Sequence, residues 1–212
     1  GDVWLKRKEY TKAGTAYERA WETQQTATLA KAMYRANISS STPEDALEPA
    51  LTWLQNNPED TATRFFVATA YLENDLTDAA TREYEKILEH APENAAVLNN
   101  LAWLYSKNND PRAVQIAKKA YQSTPENPGI QDTYGWILVQ NGEVEKGIRL
   151  LSQALDQLPD NADVRYHHAA ALIQSGKIGE GSRLLEKLLA EGKPFSGQAD
   201  AERLLAKYKA SR

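Results

Sequence analysis

Three histidines, a glycine-rich run and a recurring set of carboxylates are the features of this sequence that invite a chemical reading. The histidines are His90, His167 and His168. On a helix, adjacent side chains point about 100° apart, so His167 and His168 do not offer one metal the shared face of an i, i+4 pair. His168 reads as core-facing and His167 as a residue of a groove or rim. The run GKIGEG, Gly176 to Gly181, resembles a phosphate loop but follows a helical pattern and lacks the GK[ST] ending, which makes it a turn. Carboxylates recur in P-E-D, P-E-N and P-D-N, where turns and helix caps are expected to use them. Asn37-Ile38-Ser39 fits a glycosylation sequon, a short match. With no cysteine, there is no thiol nucleophile, disulfide or thiolate zinc site. No nucleophile, base and orienting group come together, so the sequence predicts no enzyme, no metal and no cofactor.

The bulk composition narrows the partners. The formal charge is −4 and the sequence pI about 5.5, which argues against nucleic acid, whose phosphates call for clustered Lys and Arg. The 42% apolar content is enough for a core, and mean hydropathy of −0.62 keeps the surface wet. No run of 18 apolar residues exists, and the first twenty residues lack a signal-peptide apolar region. The chain opens on Gly1 in the middle of a repeat and reads as a piece of a longer protein, which leaves an upstream signal or anchor open.

The elements that position these residues come from an internal repeat. Pro58, Pro92, Pro125 and Pro159 are spaced by 34, 33 and 34 residues. A period of 34 residues is that of the tetratricopeptide repeat (TPR), a helix–turn–helix unit. Taking each Pro as repeat position 32 gives units 61–94, 95–127, 128–161 and 162–195, with a less regular unit 25–60 and a truncated one at 1–24. Other positions agree with this register. Position 20, where the two helices cross, reads Ala13, Ala46, Ala80, Ala113, Gly147 and Gly181, and position 8 reads Ala68, Ala102, Gly135 and Ala169. Gly142 and Gly176 fall just past a first helix, where a left-handed cap suits glycine. The short unit loses its residue in the turn, where Asp110-Pro111 reads as N-cap and N1.

Helices are predicted near 10–23, 27–37, 43–56, 61–74, 77–90, 95–107, 111–123, 129–140, 144–157, 162–175, 178–191 and 197–210, without strands. The first helix of the opening repeat is expected to need residues upstream of Gly1. Residues 196–212 read as a capping helix, with Ala201, Leu204, Leu205 and Tyr208 on one face. The predicted fold class is an all-α TPR solenoid, a right-handed superhelix of antiparallel helix pairs, forming one domain over 1–212. Helices of about 13 residues are marginal alone, so stability must come from stacking.

In such a stack, positions 2, 5, 9 and 12 of each first helix line the inner groove. They supply Phe65, Thr69, Asn99, Trp103, Asp132, Trp136, Tyr166 and Ala170 as the candidate partner-binding surface. Trp103 and Trp136 can serve there as anchors, or pack between neighbouring first helices as core. Positions 2, 5 and 6 carry no Lys or Arg, which argues against a clamp for a partner's C-terminal carboxylate. An apolar, aromatic or mildly basic protein or peptide segment is the expected ligand.

The strings LNNLAWLY from Leu98, RAVQIAKKAYQSTPENP, DTYGWILVQNGEVEKGIRLL, VRYHHAAALIQSGK and KPFSGQADAERLLA resemble the C-terminal part of bacterial TPR lipoproteins encoded with exosortase and PEP-CTERM sorting systems. The likeness spans roughly residues 60–208. It implies a scaffold linked to exopolysaccharide production, facing the periplasm and lipid-anchored through an N-terminal Cys outside this sequence, and it brings no catalytic residues. Two other readings stay open: a cytoplasmic or pilus-type assembly adaptor, and a regulatory or substrate-binding part of a larger enzyme such as a glycosyltransferase.

Overall fold

The computed structural model describes residues 1–209, which form thirteen α-helices and no strand. Two compact units divide the chain, Gly1–Pro92 and Glu93–Arg212. The first holds α1 (Asp2–Lys6), α2 (Tyr10–Trp21), α3 (Ala27–Asn37), α4 (Pro43–Asn56), α5 (Thr61–Glu73) and α6 (Thr77–His90). The second holds α7 (Ala95–Lys107), α8 (Ala113–Ser123), α9 (Pro128–Gln140), α10 (Val144–Gln157), α11 (Ala162–Gln174), α12 (Ile178–Ala190) and α13 (Gln198–Lys209). Residues 210–212 of the expected cap lie outside the described residues. Among the described residues, no helix is long and apolar enough to cross a membrane.

Within each unit, consecutive helices pack as antiparallel pairs: α3 with α4, α5 with α6, α7 with α8, α9 with α10 and α11 with α12. In the second unit the first helices of successive pairs also touch, α7 against α9 and α9 against α11, which builds one wall from three helices. The small residues explain how close the paired helices come. A Cβ added to Gly147 would sit 2.6 Å from the carbonyl oxygen of Gly135, and one added to Gly181 would sit 2.5 Å from that of Ala169. Positions 8 and 20 are thus the crossing point.

Turn chemistry sets the start of each first helix. The third residue of each P-E-D, P-E-N or P-D-N triplet caps the next helix through its side chain: Asp60 accepts from the Thr63 N–H at 3.0 Å, Asn94 from Val97 at 3.2 Å, Asn127 from Ile130 at 3.3 Å and Asn161 from Val164 at 3.1 Å. The capping falls to this Asx residue rather than to the preceding acidic one. Turns inside the repeats need a left-handed residue, found at Asp75, Asn109, Gly142 and Gly176, with φ of 59°, 54°, 85° and 93°.

Two boundaries differ from expectation. The opening repeat has a short helix, α1, in the first-helix place. Lys8 follows it at φ 60°, the same register position as Asp75 and Gly142. Five residues are too few for a sequence pattern to declare a helix. They are held by packing of Trp4 and Leu5 near Ala13 and Tyr17, and by the Tyr17 hydroxyl donating to Asp2 Oδ1 at 2.7 Å. The other difference is α8, which begins at Ala113 rather than residue 111. Asp110 still accepts the Arg112 N–H at 2.9 Å and the Arg112 Nε–H at 3.1 Å, so its carboxylate closes a turn ahead of the helix.

At the C-terminal end, α13 packs on α11 and α12 with Ala201 and Leu205 buried and Leu204 and Tyr208 half-buried. It covers the apolar side of the last pair, as a capping helix does in a repeat stack.

Candidate partner-binding cleft

The wall made by α7, α9 and α11 carries a cleft of about 280 Å³, lined also by Ser196 and Gly197 of the turn before α13 and by Asp200 of α13. Of the eight residues expected at the groove, Trp103, Asp132, Trp136 and Tyr166 line this cleft. They come from equivalent faces of three successive first helices, because positions 5 and 9 lie one turn apart. Ala170 lies in an adjoining groove that shares Trp136 and Tyr166 and continues along Ile173, Leu204 and Tyr208.

The other three do not join them. Asn99 sits one turn before Trp103 and does not line the cleft; its side-chain oxygen is buried without a hydrogen-bond partner. Phe65 and Thr69 belong to the first unit, where Tyr84 of α6 engages both. The Phe65 and Tyr84 rings meet edge to face at 5.7 Å, and Thr69 Oγ1 lies 3.1 Å from the Tyr84 hydroxyl. In that repeat, the expected groove residues contribute to contacts between paired helices.

His167 is the organiser that the sequence pattern marked only as a groove or rim position. Its imidazole stacks on Trp136 with centroids 4.7 Å apart and planes inclined by 16°. Nδ1 lies 2.9 Å and 3.0 Å from the two carboxylate oxygens of Asp132, which is buried. Tyr166 leans on both rings, at 5.8 Å from Trp136 and 5.4 Å from His167. These contacts fix Trp136 in place, which limits the side-chain entropy a ligand must remove on docking. Trp136 and Trp103 are both half-buried and line the same cleft, so each combines contact within the wall with a surface toward the opening.

Polar groups surround the aromatic floor. Asp163 accepts from the Ser196 hydroxyl at 2.5 Å and from the Gly197 N–H at 3.2 Å, tying the turn before α13 to α11. Gly197 fits there because an added Cβ would lie 2.5 Å from the Tyr166 ring. Ser106 donates to Gln140 Oε1 at 2.6 Å, bridging α7 and α9. Lys107 places its ammonium 5.4 Å from the Trp103 ring centroid. Burial pushes the Tyr166 phenol up to about 12, helped by the nearby Asp200 charge and opposed by Arg203, so the hydroxyl stays neutral.

His168 faces the other way. Its Nε2 lies 3.2 Å from Ser152 Oγ on α10, its Nδ1 is buried without a partner, and burial lowers its pKa against the opposing pull of Glu180 and Asp156. Among the described residues, no group of three His, Asp or Glu side chains could hold a metal ion. The contributions of Ser196, Gly197 and Asp200 were not readable beforehand, because the segment after the last repeat leaves the 34-residue register.

Stacked antiparallel helix pairs with a small-residue crossing and a first-helix cleft define a tetratricopeptide-repeat fold. Residues 138–208 and 83–115 each match a family model described as tetratricopeptide repeat, so the chain carries TPR repeats. The fold is also similar to a solved tetratricopeptide repeat protein from Parabacteroides merdae ATCC 43184, with a TM-score of 0.79 and 16% identity over 97% of this chain and 83% of that one. It is similar to YrrB, described as a TPR protein with an unusual peptide-binding site, at a TM-score of 0.65 and 18% identity over 93% of this chain and 100% of that one. PilW, described as a widely conserved type IV pilus biogenesis factor, aligns with a TM-score of 0.66 and 16% identity over 89% of this chain and 92% of that one. No curated protein sequence matches the chain.

Proposed function

We propose that this protein is a non-catalytic interaction scaffold that seats a segment of a partner protein in the cleft between α7, α9 and α11. The observation that carries this reading is the convergence of Trp103, Trp136 and Tyr166 from three successive first helices on one cleft. Aromatic side chains already held in place are the kind of anchor that dominates interface energetics, each contributing on the order of 2 kcal/mol. YrrB, similar in fold, is described as having a peptide-binding site, which agrees with an extended or helical segment as ligand.

The proposed setting is the bacterial cell envelope, in assembly or export connected with exopolysaccharide and PEP-CTERM protein sorting, with a lipid anchor upstream of this sequence. Its support is the resemblance of residues 60–208 to the lipoproteins of those systems. The fold likeness to PilW favours a second reading, a pilus-type assembly adaptor, which would use the same cleft.

A photo-crosslinking benzoylphenylalanine in place of Gln140, at the cleft, tests the docking site, with the same group in place of exposed Arg149 on α10 as the reference. A partner captured from Gln140 and not from Arg149 is the expected result. Equal capture from both positions would remove the cleft as the docking site, and the partner's identity discriminates the two settings.

A further inference from the structure

The charges around the cleft specify more than an aromatic anchor. Asp132, Asp163 and Asp200 line it, against a single ammonium from Lys107 and the imidazole of His167. Three carboxylates stand against the Lys107 ammonium and the Arg203 guanidinium that pairs with Asp200, which leaves one negative charge in excess, with His167 bonded to Asp132. The protein's own cationic and imidazole groups already sit on these walls: Lys107 over Trp103, His167 on Asp132 and the Trp136 face, and Arg203 paired with Asp200. Each surface of the cleft therefore has the chemistry that holds a cation, an aromatic face or a carboxylate.

We infer that the cleft selects a basic side chain, arginine or lysine, on the partner segment, seating its cation between the Trp103 and Trp136 walls and the carboxylates of Asp163 and Asp200. This rests on the cleft being the docking site and adds which residue the docked segment must present. The occupant is argued from charge complementarity. An acidic side chain would meet three carboxylates in a partly desolvated space, and a neutral one would leave the lining charge uncompensated. Arginine fits best, since its planar guanidinium stacks on an indole while its edge donates to a carboxylate. Asp200 is the adaptable member: its side chain is exposed and its present partner, Arg203, lies one turn away on the same helix, so a ligand cation can share it.

The test follows the five tryptophan indole N–H resonances of isotope-labelled protein during titration with the pentapeptide amide Gly-Gly-Arg-Gly-Gly. The same peptide carrying citrulline, which keeps the shape and loses the charge, is titrated alongside. The Trp103 and Trp136 resonances are expected to shift saturably with the arginine peptide, and the citrulline peptide to bind about tenfold more weakly. In the Asp163→Asn, Asp200→Asn variant that preference should shrink to about threefold or less. Raising salt should weaken the arginine peptide alone, a readout that needs no variant.

Equal dissociation constants for the two peptides with the same indole shifts would overturn the cation preference and leave the cleft reading intact. No shift with either peptide overturns it as well. Crosslinking from Gln140 then decides separately whether a partner docks there.

Discussion

His167 on α11 lies face to face with Trp136 on α9, its Nδ1 held 2.9 Å from Asp132 one turn earlier on that same α9. One imidazole thus joins two first helices through a ring face and a hydrogen bond, and the cleft floor depends on that join. A double-mutant cycle between Asp132→Ala and His167→Ala should give a coupling free energy of about 0.5–2 kcal/mol in urea unfolding. Additive effects would mean that the pair only shares a location.

The α11 and α12 pair has no room for a side chain at its crossing. Gly181→Ala is expected to lower stability by about 1–3 kcal/mol, because its Cβ would meet the Ala169 carbonyl oxygen at 2.5 Å, backbone that cannot swing away. Urea midpoints check this, and an unchanged midpoint would mean that α11 and α12 separate freely.

In the first unit, Arg64 and Glu83 form an ion pair at 2.7 Å with both residues 8% exposed, and Arg64 also donates to the Pro58 carbonyl oxygen at 2.8 Å. Removing Arg64 leaves the buried Glu83 carboxylate with only the exposed Lys86 ammonium, at 2.7 Å, as a charged partner, so Arg64→Ala should cost about 1–3 kcal/mol. The paired replacement Arg64→Met with Glu83→Leu should recover most of that loss. If Arg64→Ala alone melts like the wild type, the pair is solvated in solution.

Much of this was legible in the sequence, for identifiable reasons. Prolines mark the inter-repeat turns, small residues mark the close crossings, which at Gly147 and Gly181 reject even a Cβ, and Gly142 and Gly176 mark a backbone that other residues adopt at a cost. Each is a local steric constraint, so each leaves a residue signature at a fixed spacing. Trp103, Asp132, Trp136 and Tyr166 follow from that register because they ride on regular helices. His167 reads as a groove or rim residue, but its stacking on Trp136 and bond to Asp132 escaped the register, as did Lys107 and Asp200, since these contacts depend on which neighbouring helix each residue faces. Phe65 shares the register of Asp132 and Tyr166, and Thr69 that of Trp103 and Trp136, yet the bulk of Tyr84 on the paired helix draws both into intra-repeat contacts.

His168 gives the molecule a pH dependence of known sign. Burial lowers its pKa in the folded state, so the unfolded chain binds a proton first as pH falls through the ordinary histidine range. The stability it protects is fully present above that range and declines below it. Urea titrations should show a smaller acid loss for His168→Gln than for the wild type, and identical losses would assign the pH dependence elsewhere.

The docking role of the cleft is tested most directly by the affinity of the partner crosslinked at Gln140 for a Trp103→Ala, Trp136→Ala variant, measured by calorimetry beside the wild type with unfolding curves for both. Loss of two aromatic anchors predicts an affinity at least about a hundredfold lower with the helical fold retained. Wild-type affinity in the folded double variant would contradict the account.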